Sequence, residues 1–367
     1  MTSLVLTLTE TLRYRGAVGQ WSWVLHRVTG LGVVLFIILH IIDTSWAVFY
    51  PDLYVKAIAA YQSPLFTIGE FALVACVVYH AYNGLRIILF DARPLWWRFQ
   101  QRAAMVVLAA TALTLIPVFI LMFNHVLKHY SDTPLVLPLG VVLLEQVPFG
   151  IGMVLALVAG LALSGLYGAV SGGKEAAPQS SRAERFWWSF MRLSGILIIP
   201  LVFGHLAGMH VVQGVFDIQG SHVLERGIAA GLEGGLPAVG ANIAQVGVNS
   251  SGTAVEFVGD RWNTLVAGVA IWRLYDAGLL ALVVVHGFNG LRYVLTDYTM
   301  SSPLLRRGMI FTCVIGATIL LVLGSGMLVR TIDSTAIEMA RNSLCRLYEE
   351  NHTEVPEVLQ CAAETGQ

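Results

Sequence analysis

Four histidines stand at related positions inside long apolar runs of this chain: His40, His80, His205 and His286. A neutral imidazole offers one ring nitrogen to a metal while a neighbouring acceptor holds the other. Two such residues on facing helices can clamp a haem iron from both sides. A lone buried histidine is as readily explained by an interhelical hydrogen bond. Four at related positions weigh against that, because an ionisable group within a membrane span is a candidate functional site.

The relation is an internal repeat. "HAYNGLRIILFD" begins at His80 and "HGFNGLRYVLTD" at His286, 206 positions later. The match extends outward. Arg27 precedes His40 by 13 residues and Arg192 precedes His205 by 13; Glu70 lies ten before His80 and Asp276 ten before His286. His80 and His286 sit 11 residues before Asp91 and Asp297, roughly 17 Å along a helix. His40 and His205 lie roughly 20 Å beyond Arg27 and Arg192. This predicts an inner pair, His80 with His286, and an outer pair, His40 with His205, at a small difference in depth. His210 competes with His205, but only His205 keeps the 13-residue spacing.

Basic residues within reach suit the acid groups of a haem. Arg86 and Arg292 lie six residues after His80 and His286, and Arg192 opens its helix. A guanidinium pairs well with a propionate carboxylate, although snorkelling to lipid headgroups would also use these arginines. His26, 14 residues before His40, belongs to the same propionate or second-shell group.

The elements that must carry these residues are apolar. The 367-residue chain is 56% hydrophobic and 12% charged, with mean hydropathy +0.71. Soluble domains carry about 25% charged residues, so the chain reads as an all-α integral membrane protein. A net charge of −1 gives no reason to expect nucleic acid, and no signal peptide is visible at the N-terminus. About seven spans are expected, near 24–48, 65–90, 104–127, 148–170, 188–211, 265–295 and 309–329. The stretch 135–147, broken by prolines, reads as interfacial or re-entrant. Residues 1–130 form a first three-helix unit and 186–330 a second in the same orientation. A return helix and polar linker in 131–185 join them. The second unit carries a loop-like insert at 212–260, and 331–367 is an acidic tail. Arginines at Arg27, Arg93, Arg98, Arg102, Arg182, Arg185, Arg192, Arg306 and Arg307 fall on one side. By the positive-inside rule that side, with the N-terminus, is cytoplasmic and the tail lies outside. Cys345 and Cys361 in the tail form a disulfide if it faces an oxidising compartment, and otherwise remain free thiols.

A transporter built from repeats would also show parallel units, but with discontinuous helices and no haem. The motifs favour another family. "SWVLHRVTG" (22–30) and "YHAYNGLRIILFD" (79–91) resemble the large cytochrome b subunit of succinate dehydrogenase. "HGFNGLRYVLTDY" (286–298) resembles its small anchor subunit. The resemblance covers both units in order and implies a fused, single-chain anchor of the two-haem type in a prokaryotic cytoplasmic membrane. It implies haem b twice, held by His80 with His286 and by His40 with His205. A flavoprotein carrying FAD and an iron–sulfur protein would dock on the cytoplasmic face. Electrons from succinate would reach a quinone, menaquinone being expected over ubiquinone. A quinol:fumarate reductase anchor running in reverse shares these features. Arg27 and Tyr298 match the family's quinone-pocket arginine and tyrosine. The serine's place is taken by Trp23, with Ser22 adjacent. Asp297 either joins that pocket or pairs with Arg306 or Arg307. Glu70, Asp43 and Asp276 form an outer acidic group suited to proton transfer; Asp276 could equally be satisfied by water or Arg273. No residue specifies a trimer, the higher assembly considered.

Overall fold

The structure is a computed structural model. It describes residues 16–61, 64–131, 147–170, 182–206, 253–263 and 267–352, together with 140, 144, 265, 354, 355, 359 and 361. The described chain is helical, without strands, and seven of its helices are long and apolar enough to cross a membrane. The expectation of an all-α membrane protein with seven spans holds.

The first unit comprises α1 (Val18–Phe49), a short α2 (Pro51–Tyr61), α3 (Pro64–Ala92) and α4 (Gln100–Ser131). The return helix is α5 (Val147–Val170). The second unit comprises α6 (Arg182–Leu206), a short α7 (Ala254–Asn263), α8 (Ile271–Tyr298) and α9 (Pro303–Val329). The tail folds as α10 (Ser334–Glu350). Local chemistry sets several boundaries. Pro303 takes the first position of α9, where its missing N–H costs nothing, and Ser302 accepts from the Leu305 N–H. Asp333 caps α10 by accepting from the Ala336 N–H at 3.0 Å. Pro117 and Pro200 lie inside α4 and α6 without ending them.

The four histidine-bearing helices form a closed ring: α1 packs on α3, α3 on α6, α6 on α8 and α8 on α1. The helices of each histidine pair therefore stand on opposite corners. α4 covers α3, and α9 covers α8 and α1. The return helix packs on α9, where Ser164 Oγ donates to the Leu304 carbonyl at 2.6 Å and a methyl at Gly160 would collide with Thr312 and the Gly308 carbonyl. Small residues let these two backbones approach closely, as membrane helices require when no hydrophobic force drives them together.

Three short helices build a cap at the end remote from Arg27. α2, α7 and α10 pack on one another, and Tyr54, Val55, Phe257, Val258, Trp262 and Ala340 join the main core. One expectation changes here. The end of the insert is a helix rather than loop, because Val255, Phe257, Val258 and Trp262 bury one apolar face. The polar tail is ordered for the same reason: Leu347 and Tyr348 pack against Ala59 and Ala60. Cys345 and Cys361 are joined as a disulfide. The expected interfacial stretch 135–147 lies almost wholly outside the described residues, as do most of the insert and His210.

Candidate cofactor site

The inner histidines are held alike by different atoms. His80 Nδ1 lies 3.1 Å from the His26 carbonyl, a pure acceptor, so this nitrogen donates. The His26 ring stacks on the His80 ring with centroids 4.0 Å apart. His286 Nδ1 lies 2.9 Å from Ser194 Oγ. Ser194 gives its own proton to the Phe190 carbonyl at 2.6 Å, so its lone pairs face the imidazole and Nδ1 donates again. Each ring is thereby fixed in the tautomer whose Nε2 lone pair is free. His286 is an electrostatic neighbour of both His80 and His26.

Repeat-related glycines make room for these rings. A methyl at Gly30 would lie 2.9 Å from His80 Cε1, and one at Gly195 3.5 Å from His286 Cε1. One helix turn beyond His80 and His286, Gly84 faces His26 and Gly290 faces Met191.

The outer histidines also meet. His40 and His205 have ring centroids 6.0 Å apart, edge to face. Their depth differs from the expectation. Contact between His26 and His80 places the inner pair level with the start of α1 and Arg27, so His40 stands 14 residues further along, roughly 21 Å. The aspartates that pair with Arg27 and Arg192 lie 11 residues past the inner histidines, about three helix turns toward the basic end, so measuring each pair from its own end of the helix compressed the two levels.

The arginines divide by partner. Arg192 pairs with Asp91, Nε donating at 3.0 Å, and lies over Trp188 at 3.4 Å. Arg27 pairs with Asp297 and lies over Trp23 at 4.0 Å. Asp297 thus meets Arg27, not Arg306 or Arg307. Arg292 is bound by Glu184 at 3.1 Å and by Asn289 Oδ1 at 3.0 Å. Arg86 is buried and gives Nη1 to the Gln100 carbonyl at 3.3 Å, while its Nε, like Asn289 Nδ2, is buried without a hydrogen-bond partner.

Ser22 does not join Arg27. It is buried between α1 and α3, donating to Asn83 Oδ1 at 2.7 Å, with Tyr79 Oη at 3.1 Å. Tyr298, 72% exposed, ends α8 one residue after Asp297.

The three acids toward the cap have separate settings. Asp43 is buried and accepts from the Tyr61 hydroxyl. Glu70 Oε2 is buried with no hydrogen-bond partner. Asp276 is bound by Arg261 and Trp262, not by Arg273. Arg273 instead donates to the carbonyls of Trp262, Leu328 and Arg330 and to Asn263. The sequence reading missed Ser194, Arg261 and Trp262. Ser194 could have been found as a polar residue two positions after Arg192, inside a span; nothing in the sequence between the insert and the next span pointed to the other two.

A ring of four apolar helices that carries histidines at repeat-related positions defines a helical integral membrane protein. The comparisons specify it. The model of the succinate dehydrogenase/fumarate reductase transmembrane subunit matches residues 8–121. The succinate dehydrogenase 2 membrane subunit SdhC of Mycobacterium tuberculosis is 32% identical over 117 residues, covering 32% of this chain and 86% of that protein. The succinate dehydrogenase hydrophobic membrane anchor subunit of Halobacterium salinarum is 30% identical over 74 residues, covering 20% of this chain and 57% of that one. No solved structure matches the chain significantly. The chain belongs to the family of succinate dehydrogenase membrane anchor subunits.

Proposed function

We propose that this chain is the two-haem cytochrome b anchor of a succinate:quinone oxidoreductase. One observation carries the reading: both inner histidines stand on opposite corners of a helix ring with Nδ1 engaged and Nε2 free. That donor set fits a haem iron ligated from two sides. The glycines against the rings and the unpartnered Nε of Arg86 suit the macrocycle and a propionate. His40 with His205 would hold the second haem.

The haems supply one-electron transfer through the bilayer. The rest of the work falls to the chain. The His26 carbonyl and Ser194 orient the inner ligands. Arg27, held by Asp297 and backed by Trp23, presents a fixed cation near Tyr298 at the basic end. There a guanidinium and a phenol can both donate to a quinone carbonyl, stabilising the charge that develops on reduction. The partners are a flavoprotein subunit with FAD and an iron–sulfur subunit, docked on the basic end. The arginine-rich end and the disulfide-bearing end are opposite, which supports a cytoplasmic N-terminus and an outer tail. Two centres at different depths would let the membrane potential assist or oppose electron transfer, by about 2.3 kcal/mol per charge per 100 mV; menaquinone is the quinone that the family resemblance implies.

The test is haem per purified chain, read from a reduced-minus-oxidised spectrum and a pyridine extract. Two b-type haems are expected. One haem removes the outer pair from the reading, and no b-type signal overturns it.

A further inference from the structure

Asp276 Oδ1 lies 3.8 Å from His205 Nδ1, beyond hydrogen-bond distance. The carboxylate is engaged elsewhere. Oδ1 accepts from Arg261 Nη2 at 3.0 Å; Oδ2 accepts from Arg261 Nη1 and from Trp262 Nε1 at 2.9 Å. His205 Nδ1 is left buried without a hydrogen-bond partner. Both donors come from α7, the cap helix that begins within the insert and ends just past it. Arg261 is itself buried and lies over the Trp272 ring at 5.1 Å, while Val255, Phe257 and Val258 seat α7 in the core.

We propose that Arg261 and Trp262 are positioning residues that hold the Asp276 carboxylate away from His205 and so set the electronic character of the outer histidine. This rests on the two-haem reading. A carboxylate that accepts the Nδ1 proton pushes electron density onto the ring, stabilises the oxidised iron and lowers its potential. Here the fork of Arg261 satisfies both oxygens and neutralises the charge. Trp262 takes a further lone pair. His205 therefore remains a plain neutral imidazole, and the outer centre keeps a higher potential than it would with Asp276 engaged. The inner histidines differ, since each Nδ1 donates to a neutral acceptor. The cap helix α7 thus reaches over the bundle end to adjust one of two similar centres and leaves the other untouched.

The experiment is a potentiometric titration of the two b-type signals in the assembled complex, after haem per chain is counted. Arg261→Gln is expected to move one signal to more negative potential and leave the other in place. A tenfold change in the oxidised-to-reduced ratio at fixed potential corresponds to about 59 mV for a one-electron couple. Trp262→Phe, which removes one donor without changing charge, is expected to give a smaller shift in the same direction. In an Asp276→Asn background both shifts should vanish. An Arg261→Gln shift of equal size in both backgrounds would mean that the lost cation acts directly, and overturns the proposal; so does the absence of a shift in Trp262→Phe. Should Arg261→Gln release the outer haem, Trp262→Phe decides. A wild-type complex with one haem overturns the two-haem reading and this inference with it.

Discussion

Arg192 of α6 pairs with Asp91 of α3, near the end of the helix that carries His80 in the other unit. The repeat supplies the reciprocal pair, Arg27 of α1 with Asp297 of α8. Each arginine also lies over the tryptophan four residues before it, Trp188 or Trp23. The two units are thus crossed twice at the basic end by the same interaction.

The pairs differ in burial, which separates their effects. Both partners of Arg192–Asp91 are mostly covered, whereas Asp297 is half exposed. Asp91→Asn should cost about 1–3 kcal/mol, the usual penalty for a covered charged hydrogen bond. Asp297→Asn should cost only about 0–1 kcal/mol. Thermal unfolding of the detergent-solubilised chain measures the difference. Quinone reduction should show the opposite order, with Asp297→Asn slowing turnover about tenfold, equivalent to about 1.4 kcal/mol. Equal turnover losses would remove Arg27 from the quinone site.

Gly30 and Gly195 make a sharper pair. A methyl at Gly30 would stand 2.9 Å from the His80 ring, which the His26 carbonyl holds in place. At Gly195 the distance to His286 is an ordinary 3.5 Å. Gly30→Ala should displace the inner ligand and alter or abolish one b-type signal; Gly195→Ala should resemble wild type. Low-temperature difference spectra distinguish them.

Ser194→Ala removes the acceptor for His286 Nδ1. Loss of such an orienting partner typically weakens metal binding about 10–100-fold. Faster haem loss during purification, with the outer signal intact, is the expected result. Ser194→Thr should restore retention, because it keeps the hydroxyl.

Much of this was legible before any coordinates. The histidine pairing followed from two 13-residue spacings and one doubled motif. The levels did not, because helix offset depends on which backbone atom meets which ring, and His26 meeting His80 fixed it. Nor did the clamp on Asp276. Arg273 is nearer in sequence and looked the better partner, but its guanidinium is used on the carbonyls that end α9. The cap helices were too short to read as spans, and α7 and α10 have a polar composition with one apolar face each.

The cap offers two further measurements. Cys345 and Cys361 close a loop with sequence separation 16, worth about 3 kcal/mol on a chain-entropy basis. Cys345→Ser with Cys361→Ser should make the cap proteolysed sooner, and thiol counting on the unfolded wild type without reductant should find only Cys76 and Cys313.

Burial pushes the Tyr348 phenol up to about 12 from its usual 10. The folded cap therefore holds the proton more tightly than the unfolded chain does. Its stability is fully present below pH 10 and declines as pH rises toward 12. Ultraviolet difference titration should show late-ionising tyrosines, Tyr348 and the buried Tyr54 of the cap among them, together with loss of cap protection in hydrogen exchange.

The return helix has the narrowest role of the seven. It packs on α9 through small residues and stays outside the ring that holds the histidines. Every contact within that ring is made by the two units directly. What the return helix contributes is covalent connection: it turns an encounter between two separate chains into an event within one molecule, at an effective concentration set by the linker. One-to-one stoichiometry of the halves then needs no balanced expression, and dilution in the bilayer cannot separate the paired histidines.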